Sequence, residues 1–190
     1  RVRVVDGADA PKIVQDGPPD PVLAARFVEA ARALKAEGAV FITSTCGFLV
    51  HLQKDIAGAV KVPVMLSGLT MVPMLRVFDR KAVFGILTAS AASLGPKTLK
   101  AAGIKPGEVR IKGLEDVAEF AEVFLAPKRR QKQVFDRDRM EAAVVAAARD
   151  LVAQHPEITV IVLECGNLPP YAAAISAATG RPVQSILDGV

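Results

Sequence analysis

The strongest constraint on the fold is a regular alternation of short apolar runs with segments of helical period. The runs Ala39–Thr43 and Thr159–Leu163 are continuously apolar or β-branched, as strands covered on both faces require. By contrast, Val22–Glu37 places its apolar residues at helical spacing, and Gly38 follows as a stop signal. Strands that alternate with helices predict βαβ units, so we expect an α/β fold with parallel sheets.

The same reading predicts elements along the whole chain. Val2–Val5 is a short β-branched run, and Asp6–Pro21 is rich in Gly, Pro and Asp and predicts a loop. The predicted strands are Ala39–Thr43, Val62–Leu66, Lys81–Leu87, Val109–Lys112, Thr159–Leu163 and Val183–Leu187. The predicted helices are Val22–Glu37, Phe48–Val60, Thr70–Phe78, Leu94–Ala102, Val117–Leu125, Arg137–Gln154 and Pro170–Ala178.

Composition excludes several classes of protein. With 190 residues, 51% of them hydrophobic, the chain can fill the core of one domain or two small lobes. No apolar run approaches the roughly 18 residues of a membrane span, so we expect no membrane partner. A net charge of +4, one Tyr and no Trp argue against a nucleic-acid partner. Neither His51 nor His155 has Cys or carboxylate neighbours at ligand spacing, so we expect no metal site.

The chain contains two copies of one strand–turn–helix–strand unit. Cys46 lies 17 positions before Pro63, and Cys165 lies 17 positions before Pro182. A helical segment and then a strand precede each cysteine, and a glycine follows it directly. The two cysteines of the chain therefore occupy the same place in both copies. Chance accounts poorly for such a placement.

This place has chemical meaning, because ligands of open parallel sheets bind beyond the carboxyl ends of the strands. At the start of the following helix, unpaired N–H groups lower the pKa of a thiol and bind carboxylates. The absence of side chains at Gly47 and Gly166 lets a substrate approach the backbone. If Cys46 and Cys165 face each other across a cleft, one removes a proton from a carbon next to a carboxylate and the other returns a proton on the opposite face. The candidate N–H donors to the resulting enolate belong to Gly47, Phe48, Gly166 and Asn167.

Less specific interpretations compete with this one. Cys46 and Cys165 could be buried structural thiols, or they could form a disulfide. Glu164 directly precedes the second cysteine and could orient its thiol or the opposite lobe, but strand alternation points its side chain to the other face, which favours a structural or interface role.

Several polar residues also carry two interpretations. Each could line a carboxylate site, or it could cap the helix or turn that follows its strand. For Asn167 the site role is favoured. The residues concerned are Thr43, Ser44, Thr45, Ser67, Thr88 and Asn167.

Two stretches carry a family resemblance. The run 42–49 (ITSTCGFL) and the run 163–172 (LECGNLPPYA) resemble the two cysteine motifs of the aspartate/glutamate racemase superfamily. The resemblance implies two pseudo-symmetric flavodoxin-like lobes with parallel sheets and the site in the cleft between them. We expect the lobes to be residues 1–66 plus 181–190 and residues 67–180. Members usually carry a further strand before the point where this chain begins, and a Thr where this chain has Gly166.

The resemblance also implies a function. The expected enzyme is a cytoplasmic, homodimeric racemase or epimerase that acts on a small carboxylate substrate, needs no cofactor, and uses Cys46 and Cys165 as its catalytic pair. One alternative is an isomerase or decarboxylase of a small dicarboxylic acid that uses a single cysteine. Another is a small-molecule-binding protein without catalysis.

Overall fold

Six parallel strands in two sheets build the computed structural model, which describes residues 1–189. The first sheet pairs β1 (Ile42–Thr43) with β2 (Val64–Met65). The second has the order β4-β3-β5-β6. Its strands are β3 (Phe84–Thr88), β4 (Val109–Gly113), β5 (Val160–Leu163) and β6 (Val183–Gln184). The prediction of an α/β fold with parallel sheets in two groups is confirmed.

Eight α-helices within residues 1–189 connect and cover these strands. They are α1 (Ala10–Ile13), α2 (Pro21–Ala36), α3 (Gln53–Val60), α4 (Met71–Phe78), α5 (Pro96–Ala101), α6 (Ala118–Phe120), α7 (Arg137–Gln154) and α8 (Ala172–Thr179). The two long helices, α2 and α7, begin after Asp20 and Asp136, whose carboxylates accept hydrogen bonds from N–H groups of the first turn. Short 3₁₀ segments precede α3, α4 and α8.

Most predicted strands are longer than the observed ones. The strand predicted over Ala39–Thr43 begins only at Ile42, because the N–H of Ala39 still donates to the end of α2 and Val40 is 81% exposed. The strand predicted over Val183–Leu187 ends at Gln184, since Ser185 bonds Asp188 and starts a 3₁₀ turn.

Two irregular segments also differ from prediction. The loop predicted over Asp6–Pro21 contains the single turn α1. The helix predicted over Val117–Leu125 is split into α6 and a π-helical turn at Ala121–Leu125. Such a turn closes hydrogen bonds five residues apart, and apolar periodicity does not reveal it.

The sequence repeat is also a structural repeat. The N–H of Ile42 donates to the carbonyl of Pro63 at 3.0 Å, and the N–H of Ile161 donates to the carbonyl of Pro182 at 3.0 Å. Both helices of the repeat end on a left-handed residue, a common way to satisfy the last carbonyls. The two units thus share strand register, helix end and return path.

One hydrophobic cluster runs through both sheets and includes residues from α2, α3 and α7. Within it, the structure pairs β6 with β5 in the four-stranded sheet, although residues 181–190 are predicted to join the first lobe. The division into lobes stays a prediction, and Val190 lies outside the described residues.

No helix within residues 1–189 is both long enough and apolar enough to cross a bilayer.

Candidate functional site

Equivalent loops hold the two cysteines. Cys46 follows β1 and immediately precedes the 3₁₀ segment Gly47–Leu52, and its carbonyl accepts a hydrogen bond from the N–H of Leu49 at 3.1 Å. Cys165 follows β5, and its carbonyl accepts one from the N–H of Leu168 at 3.0 Å. Both thiols are free; Cys165 is buried and Cys46 partly buried. The repeated sequence therefore produces a repeated turn at the carboxyl ends of β1 and β5.

These two cysteine loops pack directly on each other, each through the glycine that follows its cysteine. A Cβ added at Gly166 would lie 2.5 Å from the carbonyl oxygen of Thr45. A Cβ added at Gly47 would lie 2.5 Å from the carbonyl oxygen of Glu164. The contacts are reciprocal, because Thr45 precedes the first cysteine and Glu164 precedes the second. The glycines thus admit the opposite loop rather than the substrate that the sequence led us to expect.

Both cysteines line one cavity of about 400 Å³. The N-terminal residues 2–5 form one wall, and apolar side chains from α1, α2 and the π-helical turn contribute to the remainder. Of the described residues, Arg3 and Asp9 are the charged ones that line it. Its polar residues are Thr45, Gln131 and Asn167. The cavity has the size of a small-molecule site and combines mostly apolar walls with a few polar and charged groups.

Some predicted binding residues line this cavity and others do not. Cys46, Cys165, Thr45 and Asn167 line it. Thr43 and Ser44 instead line a neighbouring cavity of about 230 Å³ beneath residues 1–5.

Other predicted binding residues are buried and engaged with the protein. Ser67 is fully buried and accepts a hydrogen bond from the N–H of Leu69, so its capping interpretation holds. Thr88 is fully buried and donates to Glu164 at 2.8 Å. The cavity lining does not include Gly47, Phe48 or Gly166. Gly47 and Gly166 instead lie where one cysteine loop contacts the other.

The backbone donors expected to bind substrate have protein partners. The N–H of Gly166 donates to the carbonyl of Thr45 at 3.1 Å. The N–H groups of Gly47 and Phe48 face the carboxyl of Glu164 and lower its pKa. The side chain of Asn167 lies at the cavity wall and donates from Nδ2 to the Sγ of Cys165 at 3.5 Å. Asn167 therefore places a side-chain donor beside a thiol.

Electrostatics at the thiols run opposite to the prediction from the helix termini. Burial raises the pKa of Cys46 well above its usual value, and the charge of Glu164 and the thiol of Cys165 add to the effect. Burial, with the charge of Glu164 second, raises the pKa of Cys165 to about 12. N–H groups do act on both sulfurs in the expected direction, but desolvation is the larger effect. Both thiols are thus protonated at neutral pH in the unliganded protein.

The structural or interface role expected for Glu164 stays a prediction, but sequence reasoning did not predict its position against the first cysteine loop. Strand alternation placed its side chain away from the thiols, but β5 ends at Leu163, so alternation no longer applies. The Glu164 side chain is buried, and burial raises the pKa of its carboxyl to about 7. Within residues 1–189, the structure contains no group of three or more His, Cys, Asp or Glu residues that could hold a metal ion.

Known proteins resemble this chain in sequence and in fold. The sequence matches the model of the Asp/Glu/hydantoin racemase family over residues 1–190. A dimethylsulfoniopropionate lyase from Durusdinium sp. clade D is 31% identical over 179 residues, which cover 90% of this chain and 58% of that relative. The chain therefore spans little more than half the length of this curated relative.

Solved structures show the same fold. The allantoin racemase of Pseudomonas fluorescens has a TM-score of 0.57 at 21% identity, over 86% of this chain and 63% of that one. An unliganded arylmalonate decarboxylase has a TM-score of 0.54 at 17% identity, over 86% of this chain and 70% of that one.

Proposed function

Because the chain belongs to the Asp/Glu/hydantoin racemase family, we propose that it transfers protons at the carbon next to the carboxylate of a small acid, as a cofactor-independent racemase or epimerase. The observation that carries the proposal is that Cys46 and Cys165, from equivalent loops of a repeat, line one cavity. Thiols that reach a bound molecule from two related loops can address opposite faces of one carbon atom.

The reaction divides into two proton transfers. The thiolate of one cysteine takes the α-proton, and the electron pair of the C–H bond moves into the carboxylate as an enolate. The thiol of the other cysteine then returns a proton on the opposite face. Asn167 and Thr45 are the polar residues beside the thiols in the cavity, and we assign them to the developing negative charge. One such donor contributes roughly 2.7–4 kcal/mol to the transition state.

Thiol ionisation restricts the substrate. The raised pKa values of Cys46 and Cys165 make their thiolates strong bases but scarce ones. A positive charge on the substrate about 4 Å from a thiolate contributes about 4 kcal/mol at an effective dielectric constant of 20, which corresponds to about three pKa units. A zwitterion with an ammonium or sulfonium group beside the reacting carbon would therefore raise the fraction of thiolate by about a thousandfold on binding. We expect such zwitterions to react faster than simple dicarboxylates.

A second candidate is β-elimination, which the similarity to dimethylsulfoniopropionate lyases favours. Here one cysteine takes the α-proton of a 3-sulfoniopropionate, and the electron pair forms the carbon–carbon double bond. The β-carbon–sulfur bond breaks, dimethyl sulfide leaves with its electrons, and acrylate remains. The same cavity and the same cationic substrate class serve this reaction, but it requires one basic cysteine rather than two.

One experiment separates the candidates. The protein is incubated in D₂O with aspartate, glutamate, a small dicarboxylate and dimethylsulfoniopropionate. Proton NMR follows loss of the α-proton, chiral chromatography follows inversion, and headspace analysis follows dimethyl sulfide. Inversion with deuterium incorporation supports the racemase, and dimethyl sulfide with acrylate supports the lyase. Binding shown by a thermal shift, with neither product, would refute both and leave a binding protein.

Cysteine variants assign the roles. Cys46→Ser and Cys165→Ser should each lower inversion by at least about a hundredfold, the usual contribution of a positioned acid or base. Ala147→Ser, which adds a hydroxyl at a buried position of α7 outside the cavity lining, is the control for buried polarity. Inversion at the wild-type rate in both cysteine variants contradicts the two-cysteine mechanism. Elimination that depends on only one of the two cysteines indicates the lyase.

A further inference from the structure

Glu164 joins three parts of the fold at one buried point. Its Oε2 accepts hydrogen bonds from the hydroxyl of Thr88 at 2.8 Å and from the N–H of Ala89 at 3.2 Å, at the end of β3. Its backbone continues from β5 into Cys165. Its side chain also lies against Gly47, where a Cβ would be 2.5 Å from Oε1.

The two carboxylate oxygens of Glu164 differ in their surroundings. Oε2 has two donors of ordinary geometry, whereas Oε1 is buried without a hydrogen bond of ordinary geometry. Oε1 faces the start of the first cysteine loop, where the N–H groups of Gly47 and Phe48 favour the charged carboxylate. A buried carboxyl with one incompletely satisfied oxygen is costly to stability. Its location between the two cysteine loops suggests that the site uses it.

We propose that Glu164 is a positioning residue for the reaction: its buried carboxyl holds the two cysteine loops against the end of β3 and places a negative charge near both thiols. The inference rests on the proposed function, because it assigns Glu164 a role through Cys46 and Cys165. It goes beyond that function because Glu164 does not line the cavity and acts through the cysteine loops.

The charge of Glu164 acts on both thiols. It raises the pKa of Cys46 and of Cys165, in each case as the largest effect after burial. The Thr88 hydroxyl and the N–H groups of Ala89, Gly47 and Phe48 lower the pKa of Glu164 itself. With a pKa of about 7, the Glu164 carboxyl is partly charged at neutral pH and fully charged in the alkaline range where the thiols ionise. The positive group of a zwitterionic substrate would offset that charge and raise the fraction of thiolate.

The test replaces the carboxylate without changing its size. Glu164→Gln removes the charge, and the rate at which iodoacetamide alkylates each cysteine is measured by mass spectrometry as a function of pH. Thiolate is the reacting form, so the midpoint of the profile should shift to lower pH at both cysteines. For a shift of one pKa unit, the tenfold gain in thiolate is partly offset by its lower nucleophilicity. A net increase of roughly threefold is expected below the midpoint.

Two further variants separate charge from packing. Glu164→Asp keeps the charge but is one methylene too short for the contacts at β3, so it should lower the melting temperature and leave the midpoint in place. Glu115→Gln is the matched control, since Glu115 also accepts backbone N–H bonds, from Ala91 at 3.1 Å and Ala92 at 2.9 Å. It should leave both alkylation profiles unchanged. If the substitution only opened the loops, the alkylation rate would rise by the same factor at every pH and the midpoint would not move.

Two results would overturn the inference: an unchanged midpoint in Glu164→Gln, or the same shift in Glu115→Gln. The alkylation profile requires no turnover, so it remains informative if no substrate reacts. A shifted midpoint in a protein that neither racemises nor eliminates would refute the proposed reaction alone. Turnover that depends on the cysteines, with an unmoved midpoint, would refute the role of Glu164 alone.

Discussion

Gly166→Ala tests whether the two cysteine loops depend on their direct contact. The added methyl carbon would lie 2.5 Å from the carbonyl oxygen of Thr45, 2.7 Å from its Cα and 2.8 Å from its carbonyl carbon. All three neighbours are backbone atoms, which cannot rotate away as the end of a long side chain can. The loop movement needed to relieve these contacts would also strain the hydrogen bond from the N–H of Gly166 to the carbonyl of Thr45.

The expected loss of stability in Gly166→Ala follows from these contacts. Overpacking in a well-packed interior costs typically 1–3 kcal/mol, and backbone contacts this short place the variant in the upper half of that range. For a chain of this length, each kcal/mol lowers the melting temperature by roughly 2–4 °C. We therefore expect Gly166→Ala to melt roughly 4–12 °C below the wild type. If the proposed reaction holds, turnover should fall as well, because the loops that carry Cys46 and Cys165 must separate.

The assay is a thermal melt followed by circular dichroism, with turnover measured on the same samples. Gly58→Ala is the matched control: Gly58 lies within α3, and nothing lies within 4 Å of an added Cβ there. Removing a helical glycine should raise stability by about 0.4–1 kcal/mol. The reasoning is refuted if Gly166→Ala melts at or above the wild-type temperature while Gly58→Ala is stabilised as expected.

Two more predictions concern titration and thiol reactivity. The pKa of Glu164 is about 7 in the folded protein against 4.5 in the unfolded chain, so the folded state binds this proton more tightly. The contribution of Glu164 to the free energy of unfolding is therefore full below about pH 4.5 and is lost as the pH rises to about 7, on the order of 3 kcal/mol in all. Urea melts of the wild type and Glu164→Gln across this window should diverge, and parallel curves would contradict the buried titration. Separately, Asn167→Ala should raise the pKa of Cys165, because the Asn167 side chain lowers it. Alkylation of Cys165 at a fixed pH should slow while that of Cys46 stays constant, and an equal change at both would contradict the local hydrogen bond.

Long periodic elements were predictable from the sequence, and short strands were not. The bounds of α7, Arg137–Gln154, are those that its apolar spacing predicts. Strand ends depend on which neighbour offers a hydrogen bond, so Ala39–Val40 and residues 185–187 leave the sheets although their side chains suit a strand. The π-helical turn at Ala121–Leu125 has no sequence signal that we recognise.

The candidate site was also predictable only in part. The repeat placed Cys46 and Cys165 in equivalent loops, and the structure brings both to one cavity. Their catalytic roles stay predictions. Thr88 ends β3 and Ser67 follows the end of β2, but both hydroxyls are bonded to the protein rather than exposed to the cavity. The partner of Ser67 is two residues away, whereas the partner of Thr88 is 76 residues away and could not be read from local sequence.

The α/β fold, the internal repeat, the equivalent positions of the cysteines and the family resemblance can all be read from the order of residues. They depend on period, spacing and turn chemistry, which act over a few residues. The loop–loop contact at Gly47 and Gly166 and the protonated state of the thiols arise instead from tertiary packing. The position of Glu164 between the two cysteine loops also arises from tertiary packing. Those outcomes depend on burial and on distances between residues more than 100 positions apart, and desolvation outweighs the local effect of a helix terminus once a group is buried.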